Sequence, residues 1–159
     1  MPDETERKHA GVHFPPPLIY LLGLVAGWGL NRWIPWPITA GRSQIRLGLA
    51  LLFILAYFEL FRGAFMSFRR ARTTLIPNRP ATMLVDTGPY RWTRNPMYVS
   101  LACLYLAVAL WLDTWWAVVL LAAVVLVIDR AVIAREERYL ASAFPAEYES
   151  YRSRVRRWL

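Results

Sequence analysis

Residues 96–128 read PMYVSLACLYLAVALWLDTWWAVVLLAAVVLVI, an apolar stretch in which Asp113 is the one charged side chain. A helix needs about 20 apolar residues to cross the hydrocarbon core of a bilayer. The stretch has room for two such helices, at about Pro96–Leu112 and Thr114–Ala134, with Asp113 between them. We therefore predict a tight helical hairpin in a membrane, with Trp111, Trp115 and Trp116 at one interface.

Two further apolar segments precede this hairpin, at about Leu18–Ile34 and Ile45–Phe65. Prolines bound the first segment on both sides, and proline suits the start of a helix but not its interior. Gly23 and Gly27 are four residues apart, a spacing that lets helices approach closely in lipid. No small-residue cleavage pattern follows the first segment, so we expect a retained helix rather than a signal peptide. The predicted fold is an all-α integral membrane protein of about four transmembrane helices.

The composition fits this class. Of the 159 residues, 57% are hydrophobic and 19% are charged, and the mean hydropathy is +0.28 despite a net charge of +8. A soluble domain of this length exposes too much of its chain to hide so many apolar residues. The arginines flank the apolar segments, where anionic lipid headgroups explain them, and no nucleic-acid motif accompanies them. With one cysteine, Cys103, and histidines only at positions 9 and 13, we expect neither nucleic acid nor metal as a partner.

The distribution of arginine predicts the orientation. Arginine is scarce on one side of the predicted spans and crowds the other, in the segment before Pro96 and in the tail after Ala134. The positive-inside rule places the crowded side, and both termini, in the cytoplasm. We expect a multi-pass protein of a bacterial inner membrane. The crowded segments hold Arg62, Arg69, Arg70, Arg72, Arg79, Arg91 and Arg94, then Arg135, Arg138, Arg152, Arg154, Arg156 and Arg157.

The tail after Ala134 has its own pattern. Apolar and aromatic residues recur there every three or four positions, which predicts an amphipathic helix. Pro145 is expected to divide this helix into two pieces. The residues of the pattern are Tyr139, Leu140, Phe144, Tyr148, Tyr151 and Val155.

The segment Leu84–Tyr98 carries the most information about chemistry. Gly88-Pro89 predicts a turn, and Asn95-Pro96 predicts a helix start with Asn as the cap and Pro as the first helical residue. Free N–H groups and the positive dipole end make such a start an anion site. A plain helix cap at the interface, with arginines on lipid headgroups, is the alternative.

Acidic residues near the span ends are the second group of candidates. Glu136-Glu137 follows the fourth predicted span, where negative charge opposes the helix dipole and suggests a cationic or hydroxyl-bearing partner. Surface ion pairing is the simpler alternative for this pair. Glu59 and Asp129-Arg130 lie within or at the edge of spans, and each is as compatible with structural pairing as with function.

These pieces together resemble one known superfamily. The matching motifs, in order, are Arg72-Thr73-Thr74-x-x-Pro77, Gly88-Pro89-Tyr90, Arg94-Asn95-Pro96-Met97-Tyr98 and Glu136-Glu137-x-x-Leu140, followed by Phe144, Tyr148, Tyr151 and Val155. They look like the isoprenylcysteine carboxyl methyltransferase and phospholipid methyltransferase superfamily, in its bacterial form. The resemblance implies residues 1–65 as an N-terminal transmembrane hairpin and residues 66–159 as the methyltransferase region, where a cytoplasmic loop, two spans and the C-terminal helix form the cofactor site.

The resemblance also implies a cofactor and its contacts. S-adenosyl-L-methionine would be bound by Thr82, Met83, Leu84, Val85, Tyr90, Asn95, Pro96, Met97, Tyr98, Glu136 and Glu137. A lipophilic small molecule, a prenylcysteine carboxylate or a lipid-like amine or hydroxyl, would enter from the bilayer. The family's substrate arginine falls at Val132, half a turn from Arg130. We therefore name Glu136, Tyr98 and Arg130 as the catalytic candidates.

Three departures and two alternatives accompany the resemblance. Asn95 stands where the carboxyl methyltransferases usually have His, and Phe144-Pro145 stands where Phe-Gly is usual. The missing match to the substrate arginine is the third departure, and it weakens the case for a prenylcysteine acceptor more than the case for methyl transfer. The alternatives are a membrane reductase of the sterol-reductase type, which uses NADPH, and a non-catalytic membrane lipid-binding protein.

Overall fold

The structure is a computed structural model that describes residues 15–39, 41, 43–71 and 83–159. Within this part of the chain the regular elements are all helical, as predicted. A helix lies at each of the four predicted spans, and two more form the tail. They are α1 (Pro16–Trp33), α2 (Gln44–Arg70), α3 (Pro96–Trp111), α4 (Trp115–Val127), α5 (Ala134–Ala143) and α6 (Pro145–Arg154).

Local sequence signals place several helix ends. Proline opens α1, α3 and α6, so the predicted break at Pro145 is confirmed. The hairpin turn between α3 and α4 holds Asp113 in a left-handed conformation at φ 55°. Thr114 then caps α4, since its hydroxyl accepts a hydrogen bond from the Trp116 N–H at 3.2 Å.

One boundary differs from the prediction. The fourth span was expected to end near Ala134, but a π-helical segment, Ile128–Ile133, joins α4 directly to α5. The continuous helix runs over 29 residues, Trp115–Ala143. No glycine or proline interrupts residues 128–143, and the Arg, Glu and Ala that follow the apolar part are good helix formers. The helix therefore continues after its apolar sequence ends.

Two of the helices are long and apolar enough to cross a membrane, namely α2 and the continuous helix Trp115–Ala143. Other segments of the chain bury little of these two helices. In the most apolar part of each, 11% is buried in α2 and 28% in the continuous helix. The core helix of a soluble protein would be covered by other segments. Large apolar side chains on α2, among them Leu51, Leu52, Leu55 and Phe58, are instead exposed.

The chain forms two compact units. One combines Leu60–Met97 with Asp129–Leu159, and we call it the polar unit because it holds the arginine-rich segments. The other combines Phe14–Glu59 with Tyr98–Ile128, and we call it the apolar unit. The sequence predicted a boundary at residue 65 between an N-terminal hairpin and a methyltransferase region. That boundary separates functions rather than packing units, so it stays a prediction.

In the apolar unit, α1 packs closely on α4. A Cβ added to Gly27 would lie 2.7 Å from the Cα of Ala117, and one added to Gly23 would lie 2.5 Å from a methyl group of Val124. The close approach predicted from the spacing of the two glycines therefore occurs.

A buried arginine organises the turns of the same unit. Arg46 is 8% exposed, and its guanidinium donates to the carbonyls of Leu110 and Trp111 at the end of α3. Its Nε also lies 3.5 Å from the carboxylate of Asp113. That carboxylate accepts hydrogen bonds from the backbone N–H groups of Ile38 and Thr39, both at 3.0 Å. The loop after α1 is thereby bound to the α3–α4 turn.

Candidate functional site

The turn before α3 packs against α2. A 3₁₀ turn spans Gly88–Arg91, and Gly88 has φ +63°, which confirms the predicted turn and explains its glycine. A Cβ on Gly88 would also lie 2.5 Å from the Ser67 hydroxyl. That hydroxyl is 3.1 Å from the Thr87 carbonyl, so Ser67 binds the turn to α2.

An aromatic cluster lies behind this turn. Tyr90, Tyr148 and Tyr151 are buried together with Ala64 and Val85. The hydroxyl of Tyr151 donates to the Tyr90 carbonyl at 2.8 Å and so connects α6 to the turn. The predicted amphipathic tail thus buries its apolar face here. Residues partly buried against the cluster are Phe68, Ala71, Leu84, Met97, Leu140, Phe144 and Val155.

Burial raises the pKa of each of the three buried tyrosines in this cluster. Burial raises the pKa of the Tyr90 hydroxyl, and the charges of Tyr151 and Glu136 raise it further. Burial, more than the nearby Glu137, raises the pKa of Tyr148 to about 12. Tyr148 is 2% exposed, and its hydroxyl lies near Glu137 but makes no hydrogen bond of normal geometry among the described residues.

Carboxylates and guanidinium groups form a network beside the cluster. Glu137, with 15% of its side chain exposed, pairs with Arg94 at 2.8 Å and also with Arg157. Arg157 also contacts Asp129 at 3.1 Å. The hydrogen bond to Glu137 raises the pKa of Arg157, with desolvation opposing it. Such charge-assisted bonds are stronger than neutral ones.

Most of the predicted cofactor residues lie in the polar unit. Val85, Tyr90, Asn95 and Pro96 are buried, and Leu84, Met97, Glu136 and Glu137 are half-buried, whereas Met83 is exposed. Thr82 lies outside the described residues. Within this unit, the charge of Glu136 acts on Tyr90, and Arg94 connects the turn before α3 to Glu137.

The other two catalytic candidates are placed differently. Tyr98 is the first residue of its segment in the apolar unit, where its carbonyl accepts a hydrogen bond from Tyr20 at 3.0 Å. The Arg130 side chain is 78% exposed and lies 3.6 Å from the carboxylate of its neighbour Asp129. Val132, at the family's arginine position, is buried.

Sequence reasoning missed several residues of the network. Arg157 was noted only for topology, and neither Thr93 nor Trp158 was singled out. Trp158 donates its indole N–H to Asp129 at 2.9 Å. The signal available in the sequence was that the tail has more arginines than acidic residues, and that Asp129 and Glu137 lie nearby in the sequence. Among the described residues, no group of three or more His, Cys, Asp or Glu side chains is arranged to hold a metal ion.

Comparison with known proteins identifies the family. The model of the family described as "Phospholipid methyltransferase" matches residues 43–147, about two thirds of the chain. The chain belongs to the phospholipid methyltransferase family. This confirms the resemblance drawn from the motifs, and the family is one of membrane methyltransferases acting on lipid-like substrates. The family and the two apolar helices together indicate a membrane protein.

A bacterial relative also matches. A protein of Haemophilus influenzae, described as "Uncharacterized protein", is 48% identical over 66 residues, which are 40% of this chain and all of the relative. No solved structure matches the chain.

Proposed function

We propose that the protein is an S-adenosyl-L-methionine-dependent methyltransferase that acts on a lipophilic acceptor drawn from the bilayer. One observation carries the proposal: the family match at residues 43–147 includes every residue that the resemblance assigns to the cofactor, from Thr82 to Glu137. The match also favours methyl transfer over reduction by NADPH and over a non-catalytic lipid-binding role.

The chemistry of the polar unit fits the cofactor. S-adenosyl-L-methionine combines an apolar adenine with a ribose, a charged amino-acid end and a cationic sulfonium. Tyr90 provides an aromatic face, which attracts cations. Glu136 provides a carboxylate for an amino or hydroxyl group, and its charge already reaches Tyr90. The unpartnered hydroxyl of Tyr148 is a donor that a buried ligand would satisfy.

The cofactor would supply the electrophilic methyl group. The protein's part is then to hold and align the partners and to exclude water. The buried tyrosine cluster would exclude water from one side, and Val85, Met97 and Pro96 at the start of α3 would hold the apolar part of the cofactor. A carboxylate acceptor needs no base, whereas for an amine or hydroxyl acceptor Glu136, or Tyr98 in its ionised form, would accept the proton. The exposed guanidinium of Arg130 is suited to an anionic headgroup.

The proposal includes four membrane spans. At 1.5 Å per residue, α1 and α3 are about 27 Å and 24 Å long, close to the ~30 Å hydrocarbon core. Their apolar composition supports crossing alongside α2 and the helix Trp115–Ala143. The arginine distribution supports cytoplasmic termini, and the Haemophilus relative supports a bacterial membrane.

Binding and transfer assays on the purified protein test the function. Calorimetry should show binding of S-adenosyl-L-methionine and none of NADPH. NADPH binding alone would favour the reductase, and binding of neither would leave a non-catalytic protein. Transfer of a labelled methyl group is then compared for phosphatidylethanolamine, a prenylcysteine and their chain-free analogues. Each buried methylene contributes about 0.8 kcal/mol, so the chain-free compounds should be far poorer acceptors.

A further inference from the structure

The last residues of the chain are bound along the turn that precedes α3. We call Val155–Leu159 the C-terminal strap. Thr93 pairs with Arg156 in an isolated parallel bridge, and the Arg94 N–H donates to the Arg156 carbonyl at 2.9 Å. The Arg157 carbonyl accepts from the Thr93 hydroxyl at 3.1 Å and from the Asn95 amide at 2.9 Å. Three successive residues of the turn therefore hold two successive residues of the strap.

The side chains of the strap hold the helix that carries the acidic pair. The Arg157 guanidinium reaches Asp129 with Nη1 at 3.1 Å and Glu137 with Nε at 3.2 Å. Its Nη2 donates to the second oxygen of Glu137. Trp158 adds its hydrogen bond to Asp129. One arginine thus binds two carboxylates at once, while its own backbone is fixed to the turn.

The π-helical segment makes this double contact possible. Asp129 and Glu137 are eight residues apart, which in a regular α-helix is 2.2 turns and leaves the side chains about 80° apart around the axis. The wider winding of Ile128–Ile133 reduces that angle, so both carboxylates reach one guanidinium. Single π-helical turns within α-helices are frequent at functional sites.

We propose that Arg157 is a positioning residue for the methyl transfer. By joining Asp129 and Glu137 to residues 93–95, it fixes Glu136 on α5 relative to Tyr90 and to the start of α3. This inference rests on the proposed function, since Glu136 and Tyr90 are taken there as cofactor contacts. The family match ends at residue 147 and does not include the strap.

The two residues of the acidic pair, Glu136 and Glu137, then have different roles. Both oxygens of Glu137 contact guanidinium groups of Arg94 or Arg157, so Glu137 holds the scaffold. Glu136, the neighbouring residue on α5, is the carboxylate that the proposed function assigns to the cofactor. The Asn95 side chain likewise serves the strap through its amide, while the backbone at the start of α3 remains the cofactor contact.

The test compares cofactor affinity in the full-length protein and its variants. Arg157→Gln should weaken binding of S-adenosyl-L-methionine by roughly 10- to 100-fold, because misplacement by about 1 Å is costly. Arg157→Lys should recover part of the affinity, since a lysine reaches one carboxylate but cannot span both. Glu137→Gln added to Arg157→Gln should have little further effect, because both act through one network. Arg154→Gln is the matched control, since the hydrogen bond of the Arg154 side chain among the described residues is to the Ser150 carbonyl one turn away.

Hydrogen exchange gives a readout that does not depend on the ligand. The Arg94 amide should exchange faster in Arg157→Gln than in the wild type, while amides within α3 keep their protection. Wild-type cofactor affinity in a folded Arg157→Gln variant would overturn the positioning role and leave the proposed function intact. A wild type that binds no S-adenosyl-L-methionine would overturn the proposed function itself, and the positioning role with it.

Discussion

Gly27 faces Ala117 so closely that a Cβ on the glycine would lie 2.7 Å from the Ala117 Cα and 2.8 Å from its nitrogen. Backbone atoms cannot move aside as a flexible side chain can. Gly27→Ala should therefore push α1 away from α4 and destabilise the protein by about 1–3 kcal/mol. Gly29→Ala is the control, since nothing lies within 4 Å of a Cβ there. Thermal unfolding in detergent measures both, and equal midpoints for the two variants would contradict the packing.

Asp113 stabilises the α3–α4 turn in two ways, as a hydrogen-bond acceptor and as a residue that tolerates the left-handed conformation. Asp113→Ala removes the acceptor for the Ile38 and Thr39 amides and leaves alanine at φ 55°. We expect a loss of about 2–4 kcal/mol from the two effects together. Asp113→Asn keeps an oxygen acceptor and tolerates the left-handed conformation, but it removes the charge beside the buried Arg46. Its loss should therefore be smaller than that of Asp113→Ala but still measurable. Chemical denaturation of the two variants tests this order, and a larger loss for asparagine would contradict it.

Loss of the hydroxyl should lower the stability of the protein at one buried tyrosine but not at another. Tyr151→Phe removes the hydrogen bond to the Tyr90 carbonyl and should cost about 1–3 kcal/mol of stability. Tyr148→Phe removes a hydroxyl without a described partner, so it should not lower stability. Cofactor affinity should nevertheless fall in Tyr148→Phe. Unfolding curves with and without cofactor measure both effects, and unchanged affinity in Tyr148→Phe would remove that residue from the site.

Glu136 is expected to contact the cofactor directly. Glu136→Gln makes a charged hydrogen bond neutral and should weaken binding by about 1.5–3 kcal/mol, or roughly 10- to 150-fold. The matched control is Glu147→Gln, an exposed carboxylate on α6. Calorimetry on both variants decides the matter. A folded Glu136→Gln protein with wild-type affinity would show that the cofactor site lies elsewhere.

The predicted orientation can be tested by cysteine labelling in intact cells. Cys103 is first replaced by alanine, and single cysteines are then placed at Thr39 and at Ser142. An impermeant maleimide should label position 39 from outside and position 142 only after the membrane is opened. Labelling of position 142 from outside would rule out cytoplasmic termini.

The helices could be predicted from sequence because their signals are local. An apolar run, a proline at the first helical position and a residue such as Asp113 at a turn each act within a few neighbours. The tail's packing face was predictable for the same reason, since its spacing places Tyr148 and Tyr151 on one side. Glycine spacing also identified the contact between α1 and α4.

The strap could not be predicted, because its contacts join distant parts of the chain. Arg157 meets Asp129 across 28 residues and Asn95 across 62. Arginine near a membrane has an ordinary explanation in lipid headgroups, so nothing in the sequence distinguished Arg157 from the other arginines. The π-helical segment was equally hidden, since IDRAVI contains only residues that also suit an α-helix.

The uninterrupted helix Trp115–Ala143 is longer than the hydrocarbon core of a membrane is thick. Its 29 residues extend about 43 Å, against a hydrocarbon core of ~30 Å. In the proposed topology, the acidic pair would lie beyond the hydrocarbon core on this same helix, with no loop to absorb a mismatch. In a thicker bilayer the lipid would reach toward those carboxylates, and the helix would have to tilt less or draw the lipid thinner around it. Activity should consequently depend on acyl-chain length in reconstituted vesicles.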